Sequence, residues 1–561
     1  MIKSLTQLNI VWVSLVLLLS GSCSGDTKLQ EDNNPAPFLW ENANIYFLLT
    51  DRFLNGDPSN DLNFKRSEKT AVMRGFQGGD IAGVINKLEE GYFNKLGVTA
   101  LWLTPWFDQV RGSTDEGTGL TYGYHGYWTS DWTSMDPNFG TEEEVARLIE
   151  IAHAQGIRIV MDVIINHTGP VTPQDPAWPQ EWVRTEPACD YQSYHNTLSC
   201  TLVENLPDIR TGSDQEVGLP PTLIEKWEKE GRLDQEMAEL DAFFQRTGYP
   251  RAPRYYIIKW LTDLVRQYGI DGYRLDTAKH IEEGVWKELF GEASEALEAW
   301  RLEHPDKVLD HNEFYMVGEV YGYGISSDRL FHFPDTAVDY FAEDIHSLIN
   351  FDFKYKATGG YEELFSTYSE KLHTTLKGKG VLNYLTSHDD GGPYDKERLK
   401  PLEAGTKLLL SPGSCQVYYG DESCRNLVIP GAVGDATLRG PMNWDEIDQN
   451  ISRNGYSLQQ VMEHYQKLGS FRKDHPSVGA GKHQMISAEP YLFTRTYSRD
   501  DYSDRVLVGL DLVGDELTLK VGDFFQEGSI LYDYYSGNAV KVEKGEVRLD
   551  SKFNIVLLGK K

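Results

Sequence analysis

The sequence predicts an α/β protein: a (β/α)8 TIM barrel with an insertion domain after strand 3 and a C-terminal β-sandwich domain. Three observations carry this. Eight short apolar runs recur between residues 45 and 420, each followed by a polar loop and then a stretch of helical period. The runs are continuous rather than alternating, as in parallel strands buried on both faces. From about residue 479 the texture changes to short β-rich runs between Gly and Asp turns.

The elements follow in chain order. Residues 1–22 read as a signal peptide: Lys3 precedes an apolar core, Leu8 to Leu19, too short to span a bilayer comfortably. Ser20, Gly21 and Ser22 then lead to Cys23, the pattern of a lipoprotein cleavage site, with Ser20 where Leu or Val is usual. Residues 23–38 form a tether, polar and proline-ended over Asp26–Pro37. The barrel is placed at 39–475, with strands read at Ile45–Thr50, Ala100–Thr104, Arg158–Val163, Gly272–Asp276, Tyr315–Glu319, Leu348–Asp352, Val381–Ser387 and Cys415–Gly420. Helical segments such as Glu142–Gln155 imply parallel order. The insertion occupies 167–254, and within it Thr222–Arg246 is charged and reads as a solvated helix. Leu458–Arg472 closes the barrel region as a helix. The runs YLFTRTY, RVLVGLDLV, GSILYDYY and FNIVLLG then make the sandwich, 479–561.

Composition narrows the function. The 561 residues carry 54 Lys+Arg against 85 Asp+Glu, a net charge of −31, which excludes a nucleic-acid binder. An apolar fraction of 40% excludes disorder. The charge suits a neutral ligand or hard cations, and flat aromatic faces suit uncharged rings. Of the five cysteines, Cys189 and Cys200 flank a polar stretch and are placed to close a short disulfide loop. Cys415 and Cys424 read equally as a pair or as buried free thiols.

In a barrel of this kind the chemistry sits where the strands end. Those ends carry Asp162 with Asn166 and His167, Arg274 with Asp276, Glu319, and His388 with Asp389. A lone acid there is usually a cap. Acids, an arginine and two histidines converging on one rim repel and desolvate one another, a cost tolerated for function. Paired carboxylates on a neutral substrate point to glycoside hydrolysis.

The segments DVIINHT (162–168), GYRLDTAKH (272–280), GEV (318–320) and TSHDD (386–390) resemble the four signature blocks of the α-amylase family, glycoside hydrolase family 13. GVTALWLTP (97–105) and LPDI (206–209) resemble two more. The likeness covers about residues 40–475. Within the family it is nearest to the periplasmic α-amylases of Gram-negative bacteria, through YGYHGYWTSDWTSMDPNFGT, LPDIRT, INFDF and YYGDES. The resemblance implies Asp276 as nucleophile, kept ionised by Arg274, and Glu319 as acid/base. It implies that Asp389 binds two hydroxyls of the sugar at the cleavage site, with His167 and His388 donating there. Tyr127 would stack under that sugar with His125 nearby, and Lys279 and His280 would touch the leaving-group side. The implied substrate is an α-1,4-glucan such as starch, glycogen or maltodextrin, cleaved with retention.

Calcium is the implied cofactor, at one or two sites. Asn55, Asp57, Asn60 and Asp61 crowd oxygen ligands into one turn. By itself this is an Asx-rich turn. Its resemblance to a calcium loop of cyclodextrin-forming relatives adds Asp80 and the carbonyl of Gly78. Asn166, Asp208 and the carbonyl of His280 match the family's calcium between barrel and insertion; a fourth ligand, around Ser199, is not placed. Hard oxygen donors without a His/Cys set exclude zinc. Two other readings stand beside hydrolysis: a cyclodextrin-forming type of transglycosylase using the same residues, and a non-catalytic glycan-binding protein on the same fold. The chain is expected to be extracytoplasmic, periplasmic or held by a lipid on Cys23, and monomeric.

Overall fold

The computed structural model describes residues 36–561 apart from 116, 515 and 551; the signal peptide, Cys23 and most of the tether lie outside the described residues. Eight parallel strands close a barrel: β1 (Asn44–Leu48), β2 (Ala100–Leu103), β3 (Arg158–Val163), β4 (Gly272–Leu275), β5 (Tyr315–Gly318), β6 (Ser347–Asn350), β7 (Gly380–Tyr384) and β8 (Ser414–Tyr418). Each is buried along its length, as the apolar runs require. Inside, Phe47 of β1 stacks on Trp102 of β2, with ring centroids 3.8 Å apart.

The helices are set by local signals. Glu142–Ala154 starts at a capping box between Thr141 and Glu144. Pro253–Tyr268 opens on its proline and stops at Gly269 in the left-handed region (φ +74). The unit after β5 departs from the eightfold pattern. Instead of an α-helix it carries 3-10 turns at Ile325–Ser327 and Tyr340–Glu343 and a hairpin pairing Phe331–His332 with Ala337–Val338. Gly322, Gly324 and Pro334 interrupt any helical period there.

Two excursions leave the barrel. After β2, Phe107–Gln109 pairs antiparallel with Thr129–Met135, with shifts of register. After β3 comes the insertion, with a ribbon of Val183–Arg184 and Asp208–Ile209 and a short helix, Tyr194–Leu198. The single solvated helix expected at Thr222–Arg246 is corrected to two, Pro221–Glu230 and Leu233–Thr247, parted by Gly231 at φ +74. Nor is it merely solvated. Leu223, Trp227, Leu240, Phe243 and Phe244 are buried, and Trp227 meets Trp260 edge-on at 6.2 Å. Lys226 and Arg232 fix the pair to the post-β2 ribbon through Asp131, at 2.5 and 2.9 Å.

The C-terminal region is an antiparallel six-stranded sheet over a two-stranded one, Glu516–Lys520 with Glu546–Asp550. Leu507, Val521, Leu531, Val547 and Leu558 fill the space between them. Arg495 joins this region to the barrel through the Leu410 carbonyl, while Arg472, on the helix that ends the barrel, bonds the carbonyls of Leu409 and Ser411. Among the described residues no helix is long and apolar enough to cross a membrane.

Candidate active site

Register assembles the site. Arg274 on β4 lies directly opposite Asp162 on β3, and Leu275 lies opposite Gly318 on β5. The residues just beyond those ends, Asp276 and Glu319, therefore emerge side by side at the rim. Arg274 and Asp276, two apart on an extended chain, share a face. The fully buried guanidinium of Arg274 thus holds three carboxylates: Asp162 at 2.8 Å, Asp276 Oδ1 at 2.7 Å and Glu319 Oε2 at 2.8 Å. Asp276 Oδ2 is buried without a hydrogen-bond partner. Next to it Thr277, β-branched yet at φ +48, turns its N–H onto Glu319 Oε2 at 2.9 Å.

Electrostatics separate the acids. Burial pushes the Glu319 carboxyl up to about 8, with Asp276 and Asp389 adding to the rise and Arg274 opposing it. Burial likewise raises Asp162 to about 6 against the pull of Arg274. Asp389 is raised too, by burial, and accepts from Ser387 Oγ at 3.1 Å. His125, His167 and His388 are all pushed down by burial and so are neutral donors and acceptors.

The remaining expected residues surround the same cleft of about 630 Å³. Tyr127 lies in its wall; its hydroxyl donates to Asp162 at 2.7 Å and its ring is parallel to His388 at 5.3 Å. His125 Nδ1 accepts from the Tyr127 N–H at 3.0 Å, and the Tyr127 carbonyl meets His167 Nε2 at 3.1 Å. Lys279 donates to the Tyr321 carbonyl at 3.1 Å, and His280 is buried beside it. Asp162 was legible as a strand end, without the role its bonds give it. The lining also includes Asp435, bridged by Arg74 and Arg439 at 2.6 and 2.7 Å, and Tyr191 and Tyr321. Nothing in their local sequence marked these.

The two oxygen-rich clusters differ in state. Gly78, at φ +87, sits so close to Asn55 and Asp61 that a Cβ would lie 2.6 Å from both Asn55 Nδ2 and Asp61 Oδ1. Asp80 accepts from the N–H groups of Gly56, Asp57 and Gly83 at 2.7–2.9 Å, capping Ile81–Glu89. Asp57 caps its own turn through Ser59, and Asn60 Oδ1 is buried without a partner. In the other cluster the Asn166 side chain is buried with no hydrogen bond, while Asp208 is buried and ion-paired through Oδ2 to Arg184 at 2.9 Å. An unpartnered buried oxygen in each makes both fit a hard cation. Cys189, Cys200 and His280 also converge, but the two sulfurs form a disulfide and are not available as thiolates. Cys415 and Cys424 are buried free thiols.

Residues 47–481 match the family model for the α-amylase catalytic domain. The chain is 36% identical over 547 residues to the periplasmic α-amylase of Escherichia coli (strain K12), covering 85% of this chain and 73% of that one. It is 26% identical over 516 residues to a cyclomaltodextrin glucanotransferase of Geobacillus stearothermophilus, covering 87% and 64%. Of solved structures, the α-amylase from Geobacillus thermoleovorans complexed with acarbose superposes with a TM-score of 0.60 at 20% identity, over 94% and all (100%) of the two chains.

Proposed function

The chain belongs to the α-amylase family of glycoside hydrolases, and from that premise we propose that it hydrolyses internal α-1,4-glucosidic bonds of starch, glycogen or maltodextrins with retention. The observation that carries this reading is the pairing of Asp276 and Glu319 on one guanidinium, with burial pushing the Glu319 carboxyl up to about 8. A retaining mechanism needs its two carboxyl groups close together, and two nitrogens of a single arginine hold Asp276 and Glu319 at 2.7 and 2.8 Å.

Arg274 holds Asp276 through Oδ1, and the unpartnered Oδ2 attacks the anomeric carbon. Glu319 starts protonated. Its bonds to Arg274 and to Thr277 fall on Oε2, so Oε1 carries the proton to the departing oxygen. That carboxylate then takes a proton from water, which attacks the glycosyl ester and restores Asp276. Asp389, His167 and His388 hold the hydroxyls of the sugar at that carbon, Tyr127 and His125 wall it, and Lys279 and His280 face the leaving portion. Asn166, Asp208 and the His280 carbonyl would hold one calcium, which ties the insertion to the barrel when bound. Asn55, Asp57, Asn60, Asp61, Asp80 and the Gly78 carbonyl would hold another.

The domain limits 39–475, with its 167–254 insertion, and 479–561 belong to the same reading. So does an extracytoplasmic location, supported by the likeness to a periplasmic enzyme, with Cys23 as a lipid attachment point tested by mass spectrometry of the mature N-terminus. The function is tested by Asp276→Asn and Glu319→Gln. Each should lower starch hydrolysis by roughly 10³-fold or more; near-normal turnover by either would remove the assignment.

A further inference from the structure

We propose that the Cys189–Cys200 disulfide is a positioning element for the acceptor side of the cleft: it fixes the loop along which the leaving portion of an α-glucan chain lies. The inference rests on the reading of Glu319 as proton donor, because the leaving oxygen must face that residue. The Lys279 ammonium stands on this side, held by the carbonyl of Tyr321, two residues beyond Glu319.

The wall opposite comes from the disulfide loop. Tyr191, Leu202 and Val203 line the cleft, and Tyr191 and Val203 remain 41% and 44% exposed. The Tyr191 ring lies 5.5 Å from Lys279 Nζ and edge-on to His280 at 5.7 Å. Its hydroxyl donates across the loop to the Leu202 carbonyl at 3.1 Å. The neck of this loop is narrow: Cys189 N–H donates to Thr201 at 2.9 Å, Thr201 N–H to Pro187 at 2.8 Å, and the disulfide closes it. The two sulfurs pack within 4.8 Å of the His280 ring, so the bridge is wedged behind a residue of the cleft itself.

The same loop braces a second wall. Tyr194 N–H donates to Asp335 at 2.8 Å, and its ring meets Phe333 edge-on at 5.1 Å, on the hairpin that carries Phe331 to 5.6 Å from Lys279 Nζ. Without the bridge the neck is closed by only a few backbone bonds, such as those between Cys189, Thr201 and Pro187, and a bound chain must order the loop as it binds. The other side of the cleft stands on Asp162, Tyr127 and His388, which belong to the barrel rim and the post-β2 excursion. Loss of the bridge therefore weakens holding of the leaving portion and spares the chemistry.

The test uses the full chain, oxidised, against Cys189→Ser/Cys200→Ser and against wild type reduced with a phosphine. Cys415 and Cys424 are free, so among the described residues the reductant meets this one disulfide. Two substrates are compared: maltoheptaose, and a nitrophenyl α-maltotrioside whose aryl leaving group needs no sugar contact. The expected result is a fall of about tenfold in kcat/KM on maltoheptaose, mainly through KM, with less than a twofold change on the aryl glycoside. Equal losses on both substrates, or none on maltoheptaose, overturn the proposal. Should the double variant fail to fold, reduced wild type with unchanged circular dichroism decides by the same ratio. Oxidised wild type that cleaves neither substrate overturns the proposed function, and this inference with it.

Discussion

The Glu319 carboxyl is pushed up to about 8 although an arginine nitrogen lies 2.8 Å away, because its burial outweighs that single ion pair. Two consequences follow. As general acid it must be protonated, so kcat/KM on maltodextrins should fall as pH rises through about 8; a profile flat to strongly alkaline pH would contradict this. The fold also binds this proton more tightly than the unfolded chain, whose value is 4.5, so the group's contribution to stability is lost between 4.5 and about 8 as pH rises. The three acids and Arg274 were legible because buried strands announce themselves and their last residues must face the rim. The role of Asp162 was not, since its other partners, Tyr127 and Trp102, lie 35 and 60 residues away in sequence.

At the scale of elements, the insertion helices are held by apolar burial as well as by their many charges. Trp227 is fully buried against Trp260, and Trp227→Ala should destabilise the protein by about 3–5 kcal/mol through lost burial and the cavity left behind. Thermal melting should show a drop of several degrees, with kcat on starch near normal below the transition, since Trp227 does not line the cleft. An unchanged melting temperature would mean the site collapses without loss. This region reads as solvated from its sequence because acids and lysines outnumber the apolar residues that face inward. The post-β2 ribbon was hidden for another reason: its pairing shifts register twice, so no alternation of period two survives. The short disulfide loop was legible, since its two cysteines lie only 11 residues apart.

For the whole molecule, a net charge of −31 suits a neutral substrate and leaves clustered carboxylates to be balanced by cations. Calcium that binds only the folded form should raise stability by mass action. Exhaustive chelation should therefore lower both the melting temperature and activity, and restored calcium should return them; unchanged values, with no calcium found beforehand, would remove both sites. The architecture was legible because barrel and sandwich have different textures, whereas cleft walls built from distant loops carry no local pattern. Hydrolysis and cyclisation share every catalytic acid and differ in what receives the glycosyl unit. The deciding measurement is proton NMR of the products formed from maltoheptaose and starch, followed from the first turnover. The account predicts linear maltodextrins whose new reducing ends appear first as the α-anomer. Products appearing first as the β-anomer, or mainly cyclic glucans, would contradict it.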